Sequence, residues 1–223
     1  MVIKLSEPDI KFIDYYRVFK VLKSKWLVSG KVQAELEFEF SKYLNFKYAI
    51  ACSSWTTGAF MVLKALQLDN EDEVIVPSYS FIATANVVKH VGAKVVFCDI
   101  SPNDWNIDLE DLKNRITNKT KVIIAVDQHG FPFDQNILEF AAEKGITVIR
   151  DIACSIGTTE IINENQNSPI IAVTSFHARK IITGGEGGMV FTNRDDLNER
   201  LRLLRHQGMS LTDYDRNQSN GLS

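Results

Sequence analysis

A lysine beside a glycine-rich stretch is one of the residues of this sequence best suited to chemistry. Lys180 lies five residues after Ser175 and shortly before the segment Thr183–Gly188. A lysine amine becomes a nucleophile when its surroundings lower its pKa. A lysine in a loop is more often a solvated surface charge, and taken singly Lys180 fits that alternative.

An aspartate stands at the end of an apolar run. Asp151 directly follows the segment ITVIR, which has the composition of a buried strand. A carboxylate there faces the ligand crevice of an open parallel sheet and can stabilise a protonated ring nitrogen. Alternatively, Asp151 caps the next helix or is simply solvated.

Polar segments follow other apolar runs as well. The segment Ser53–Thr56 opens a helical pattern, and free N–H groups at a helix start bind phosphate. The hydroxyls of Ser54 and Thr56 would add donors, unless Ser53 or Ser54 serves only as an N-cap. The remaining polar strand ends are Ser78–Phe81, Gln128–Gly130 and Ser175–Lys180.

Other site classes are disfavoured. The glycine-rich segment lacks the order of an ATP-binding P-loop and precedes a strand, whereas a dinucleotide fingerprint follows one. The four histidines show no metal-ligand spacing, so His129 and His177 are interpreted as structural. Three cysteines without C-x-x-C spacing indicate neither a disulfide framework nor zinc; Cys154 stands out because it lies near Asp151.

Composition indicates an ordinary soluble globular protein. The 223 residues are 45% hydrophobic and 24% charged. Their 25 basic and 28 acidic residues are well mixed, which argues against nucleic-acid and anionic-membrane partners. No signal-peptide pattern opens the sequence, and no apolar segment reaches the roughly 20 residues that span a bilayer. We therefore expect a cytoplasmic protein.

Strand and helix patterns alternate along most of the chain, which predicts βαβ units in an α/β fold with a largely parallel sheet covered by helices on both faces. The predicted strands are Tyr48–Cys52, Glu73–Pro77, Lys94–Cys98, Val122–Val126, Thr147–Arg150, Ile170–Thr174 and Gly188–Thr192. The predicted covering helices are Trp55–Leu68, Phe81–Val91, Leu109–Arg115, Asn136–Lys144 and Asp195–His206.

Three regions are expected along the chain. Residues 1–29 form a helical lead-in, with Ser6 as its N-cap and Ser29-Gly30 closing it. Residues 30–207 form the main domain, in which Gly145 ends the helix before the fifth strand. Residues 208–223 turn polar and are predicted to be a tail or linker.

The ordered set of segments resembles the DegT/DnrJ/EryC1/StrS family of pyridoxal-phosphate (PLP) sugar aminotransferases. The resemblance implies the aspartate-aminotransferase-like large domain with a mostly parallel seven-stranded sheet. It covers nearly the whole chain and is carried by SKWLVSGKVQAELEFEFSKYL, EDEVIVPSYSFIATANVVKHVGAKVVFCDI, ITVIRDIACSIGT and SFHARKIITGGEGGMVFTN.

By this resemblance, Lys180 is the catalytic residue and carries PLP as a Schiff base. Asp151 pairs with the pyridinium nitrogen, and Phe81 stacks on the ring. The phosphate is held by Trp55, Thr56 and Ser175. Cys154 stands near the cofactor's phenolic oxygen where many members have Gln, and Trp55 stands where Gly is frequent; both are interpreted as subfamily markers.

The resemblance also implies substrates and partners. The expected amino donor is an amino acid, with glutamate as the leading candidate. The expected acceptor is a nucleotide-linked keto sugar of cell-surface polysaccharide or amino-sugar biosynthesis. The resemblance also implies that related dehydratases have His in place of this lysine. Lys180 therefore favours amino transfer over dehydration. Relatives continue into a C-terminal domain that completes the homodimer. The alternative is therefore a catalytically incomplete fragment of the large domain. Such a fragment is either a remnant or needs a separate C-terminal partner.

Overall fold

A single sheet organises the computed structural model, which describes residues 6–158, 170–210 and Arg216. Its strand order is β1-β7-β6-β5-β4-β2-β3. Strands β3, β2, β4, β5 and β6 run parallel, whereas β7 is antiparallel to both of its neighbours, β1 and β6. The strands are β1 Tyr48–Cys52, β2 Glu73–Pro77, β3 Lys94–Cys98, β4 Thr120–Val126, β5 Thr147–Asp151, β6 Ile171–Ser175 and β7 Gly188–Thr192.

Helices cover both faces of the sheet. Alternate residues of each strand enter opposite cores: Val74 and Val76 pack with the helices α3, α4 and α7, whereas Ile75 packs with α5 and α6. The prediction of a mostly parallel, doubly covered seven-stranded sheet is confirmed. The helices are α1 Phe12–Ser24, α2 Lys31–Tyr43, α3 Trp55–Ala65, α4 Ala83–Val91, α5 Leu109–Arg115, α6 Asn136–Glu143 and α7 Asp195–Arg205.

Most predicted elements are present within one or two residues. Two differences, of three and two residues, occur on the side of the sheet that faces α3. Helix α3 ends at Ala65, three residues early, because Gln67 takes a left-handed conformation with φ +59°. Helix α4 begins at Ala83, which leaves Phe81 in the turn before it, with 74% of that residue exposed.

The predicted start of the lead-in at Ser6 is wrong. Helix α1 begins at Phe12, and its N-cap is Lys11, whose backbone N–H donates to Asp14 Oδ2 at 2.9 Å. Asp14 therefore reaches back to close the first turn, a role that a spacing rule based on Ser or Thr does not anticipate. The predicted close at Ser29-Gly30 also differs, because α1 ends at Ser24 and Gly30 is the N-cap of α2.

A buried carboxylate joins helices α2 and α7 to strand β1. Glu37 accepts hydrogen bonds from Arg202 Nη1 at 2.9 Å, from Arg205 Nη1 and from the Ala51 N–H at 3.0 Å. Burial alone would raise its pKa, but Arg205 and a hydrogen bond from Gln33 hold that pKa below its usual value. Its contribution to stability is thus present above the carboxylate's unfolded pKa and is lost as the pH falls through the lower folded pKa.

Replacing Glu37 with alanine is expected to lower the free energy of unfolding by about 3 kcal/mol, because the substitution leaves two arginines without their carboxylate. Urea denaturation at neutral pH measures the loss. Glu35→Ala, on an exposed position of the same helix, is the matched control and is expected to change stability by less than about 0.5 kcal/mol. Equal effects of the two variants would contradict this role of Glu37.

Candidate active site

A cavity of about 290 Å³ lies where strands β5 and β6 end and helix α3 begins. Six of the seven predicted cofactor residues line it, although they come from four separate parts of the sequence. The seventh, Cys154, is not part of the cavity wall but contacts the Lys180 side chain. The six are Trp55, Thr56, Phe81, Asp151, Ser175 and Lys180.

Asp151 is the last residue of β5 and is 7% exposed. Its carboxylate accepts a hydrogen bond from the Ala153 N–H at 2.9 Å. Burial raises the pKa of Asp151 to about 7, because desolvation outweighs that hydrogen bond and the attraction of Lys180. The cavity wall therefore contains a carboxyl group that gains or loses its proton near neutral pH.

Lys180 reaches the same cavity from the loop after β6. Its amine donates to Cys154 Sγ at 3.2 Å, and its backbone N–H donates to the His177 carbonyl at 2.8 Å. The solvated-surface interpretation does not describe this half-buried side chain. Lys180 and Asp151 thus place an amine and a carboxyl group in the wall of one cavity.

The glycine-rich segment lets β7 pass close to the start of α3. A side chain at Gly188 would bring a Cβ to within 2.5 Å of the Ser54 carbonyl carbon, a distance that backbone atoms do not tolerate. Gly187 has φ +144°, in a region that favours glycine, and its carbonyl accepts from the Phe176 N–H at 2.8 Å. The glycines therefore bring the α3 turn against the Lys180 loop.

The turn before α3 caps the helix and lies at the cavity. Ser54 Oγ accepts from the Thr57 N–H at 3.1 Å, so Ser54 is the N-cap, as the alternative interpretation held. The half-buried Thr56 lies at the first turn of this eleven-residue helix and lines the cavity. The N-terminal end of α3 thus presents its positive dipole end to the cavity.

The indole N–H of Trp55 is buried and has no hydrogen-bond partner in the described part of the chain. It lies close enough to Asp151 to favour the anionic carboxylate without the geometry of a hydrogen bond. A buried donor without a partner costs about 1–3 kcal/mol. A ligand acceptor in the cavity would remove that cost.

The two histidines that follow strands, His177 and His129, have different surroundings. His177 lines the cavity; its Nδ1 accepts from the Arg179 N–H at 3.2 Å, and its Nε2 lies 3.7 Å from Glu186. His129 is exposed and packs near Tyr79 and Trp105. No group of three metal-ligating side chains occurs among residues 6–158, 170–210 and 216.

Sequence reasoning missed a buried polar cluster around Asp127. Asp127 is fully buried at the end of β4, beside Asp151 on β5, and contacts Arg150 and Ser155. Its position directly after an apolar strand was a usable signal. The predicted polar segment Gln128–Gly130 begins one residue later, at Gln128, which is buried and donates to the Tyr79 carbonyl at 2.6 Å.

Residues 9–222 match the family model described as the DegT/DnrJ/EryC1/StrS aminotransferase family. GDP-perosamine synthase from Caulobacter vibrioides is 41% identical over 209 residues, which are 93% of this chain and 56% of that enzyme. An uncharacterized protein from Methanocaldococcus jannaschii is 38% identical over 215 residues, 96% of this chain and 56% of its own. The chain thus spans somewhat more than half the length of these relatives.

Solved structures give the same fold. A putative sugar aminotransferase from Streptococcus pneumoniae, in its PMP form, has a TM-score of 0.87 and 29% identity over 96% of this chain and 59% of its own. GDP-4-keto-6-deoxymannose-3-dehydratase with a trapped PLP-glutamate geminal diamine has a TM-score of 0.85 and 28% identity over 93% of this chain and 55% of its own.

Proposed function

Because the chain belongs to the DegT/DnrJ/EryC1/StrS aminotransferase family, we propose that it provides the cofactor site of an enzyme that transfers an amino group from an amino acid to a nucleotide-linked keto sugar. Pyridoxal phosphate is the cofactor of this fold and family. The observation that carries the proposal is the presence of Lys180 and the buried Asp151 in the wall of one cavity.

The residues present fit the cofactor. Its phosphate suits the N-terminal turn of α3, where Trp55 and Thr56 line the cavity together with Ser175. The buried Trp55 N–H makes no hydrogen bond of good geometry, and an anionic ligand can accept one from it. Phe81 is exposed on the cavity wall, where it can cover a planar ring. The donors and the apolar surface thus match a phosphorylated aromatic ligand.

Each reactive side chain has a defined task. When bound, the cofactor supplies an electron sink for negative charge that develops beside the transferred nitrogen. Asp151 pairs with the protonated ring nitrogen, and that cation lowers the raised pKa of its carboxyl group. Lys180 holds the cofactor and, once an amino donor displaces it, moves a proton at the donor's α-carbon.

The relatives support the proposed substrates. The named activity of GDP-perosamine synthase supports a nucleotide sugar as acceptor, and the glutamate adduct in the dehydratase supports glutamate as donor. Lys180 favours amino transfer over dehydration. We further propose that the protein is cytoplasmic, works in polysaccharide or amino-sugar biosynthesis and acts as a homodimer. No helix in the described ranges is long and apolar enough to cross a membrane.

The half-reaction with glutamate tests the proposal. The chain, loaded with PLP and freed of excess cofactor, is expected to release about one equivalent of 2-oxoglutarate. Chain treated with borohydride before glutamate is added is the control and should release none. Bound PLP without 2-oxoglutarate would contradict amino transfer by this chain and support the alternative, in which these residues hold the cofactor and further protein completes the site.

Alkylation of the cysteines provides an independent check on where PLP binds. Burial raises the pKa of Cys52 to about 11 and that of Cys98 to about 12, so both remain thiols at pH 8. Cys154 is half-buried beside Lys180. Iodoacetamide is expected to label Cys154 first, and saturating PLP should slow that labelling, because a cofactor attached to the Lys180 amine would stand against the thiol that this amine contacts. Peptide mass spectrometry measures both rates; unchanged labelling would place the cofactor elsewhere.

A further inference from the structure

We propose that Asp127 is a positioning residue whose buried carboxylate fixes the segment Asp151–Ser155, so that Asp151 and Cys154 stay in place at the cofactor cavity. The proposal rests on the proposed function, because it assigns Asp127 a task in the same site. Asp127 itself does not line the cavity.

Both carboxylate oxygens of Asp127 accept hydrogen bonds. Its Oδ2 accepts from Arg150 Nε at 2.9 Å and from Ser155 Oγ at 2.7 Å, and its Oδ1 accepts from the Phe133 N–H at 3.1 Å. The side chain is 0% exposed and that of Arg150 is 4% exposed. One buried anion therefore connects the end of β4, strand β5 and the turn that follows β5.

Two attachments hold the segment at its ends. The Asp127 N–H donates to the Asp151 carbonyl at 3.0 Å, and Ser155 Oγ donates to the Asp127 carboxylate four residues later. Between these points lie Ala153, whose N–H donates to the Asp151 carboxylate, and Cys154, which contacts Lys180. A shift of Ser155 would therefore move the groups that contact both reactive side chains.

Stability alone does not account for this arrangement. A buried ion pair is often no more stable than apolar residues of the same shape, because desolvation offsets the attraction. The pair lies at the carboxyl end of the sheet, next to Asp151, and the negative charge of Asp127 also contributes to the raised pKa of Asp151. Charge and hydrogen bonds of Asp127 thus both act on the site.

Ser155→Ala tests whether Asp127 fixes the segment Asp151–Ser155, and it does so without leaving a buried charge unpaired. It is expected to raise the Kd for PLP roughly tenfold, as for loss of one hydrogen bond to a charged group. In the PLP-free chain it should also raise the alkylation rate of Cys154 several-fold, because the segment is released. Ser155→Thr keeps the hydroxyl and should restore both values to near those of the wild type.

Thr120→Val is the matched control, since it removes another buried hydroxyl at the opposite end of β4, where Thr120 accepts from the Thr117 N–H. It should lower thermal stability while both readouts stay unchanged. The proposal is overturned if Ser155→Ala leaves the alkylation rate of Cys154 unchanged, or if Ser155→Ala and Thr120→Val change that rate equally. Because that rate is measured without PLP, its outcome is separate from failure of the proposed function.

Discussion

Lys180→Ala is expected to abolish covalent attachment of PLP and to slow the glutamate half-reaction by at least about 10³-fold. The variant loses the amine that holds the cofactor and the base that moves the proton at the donor's α-carbon. The fold should not change, because the side chain is half-buried and its amine donates only to Cys154 in the described part of the chain. Mass spectrometry of the borohydride-reduced chain and 2-oxoglutarate release measure the two effects.

Lys89→Ala is the matched control for that variant. Lys89 is exposed in the last turn of α4 and does not line the cavity. Its loss should leave cofactor attachment and 2-oxoglutarate release at wild-type values. A Lys180→Ala chain that still carries covalently bound PLP, or still reacts at the wild-type rate, would remove Lys180 from the site.

Asp151→Asn is expected to change stability and function in opposite directions. In the PLP-free chain the pKa of Asp151 is about 7, whereas an unfolded aspartate has a pKa near 3.9. The folded chain therefore binds the extra proton between these values, and its stability falls as the pH rises from about 4 to 7. Asparagine carries no charge, so it removes that loss and should raise the free energy of unfolding at pH 8 by up to ~4 kcal/mol.

Urea denaturation of the PLP-free chain at pH 5 and pH 8 measures the stability effect. The gain in stability should be large at pH 8. It should shrink at pH 5, where the Asp151 carboxyl group of the folded chain is mostly protonated. Asp9→Asn, at a highly exposed position, should show neither the gain nor its pH dependence. An Asp151→Asn chain that is less stable than the wild type at pH 8 would contradict the raised pKa.

The functional cost of Asp151→Asn appears once PLP is bound. Asparagine lacks the negative charge that keeps the ring nitrogen protonated, so the glutamate half-reaction is expected to slow roughly 10²-fold or more, as for loss of one preorganised electrostatic partner. Stopped-flow measurement of single turnovers gives the rate. A wild-type rate would show that Asp151 does not pair with the ring.

The strand ends were predictable because short, Val- and Ile-rich runs are buried on both faces of the sheet. Four strands have the predicted bounds, and the strand order then brings Asp151 and Ser175 to one edge. Lys180 was recognised only through its ordered neighbours, since a loop lysine alone has no distinguishing pattern.

Long-range contacts were not predictable from local patterns. The Asp127 carboxylate meets Arg150 and Ser155, which lie 23 and 28 residues further along the chain. The start of α1 at Phe12 was missed because Asp14 closes its first turn from inside the helix, whereas the prediction relied on a preceding serine.

Peptide mapping after borohydride reduction of the PLP-loaded chain tests the central claim most directly. Reduction makes the attachment of the cofactor permanent, and mass spectrometry then locates it on one residue. We expect about one cofactor per chain, on the peptide that contains Lys180. A chain without the adduct, or one with the adduct spread over other lysines, would contradict a PLP site built around Lys180 and Asp151.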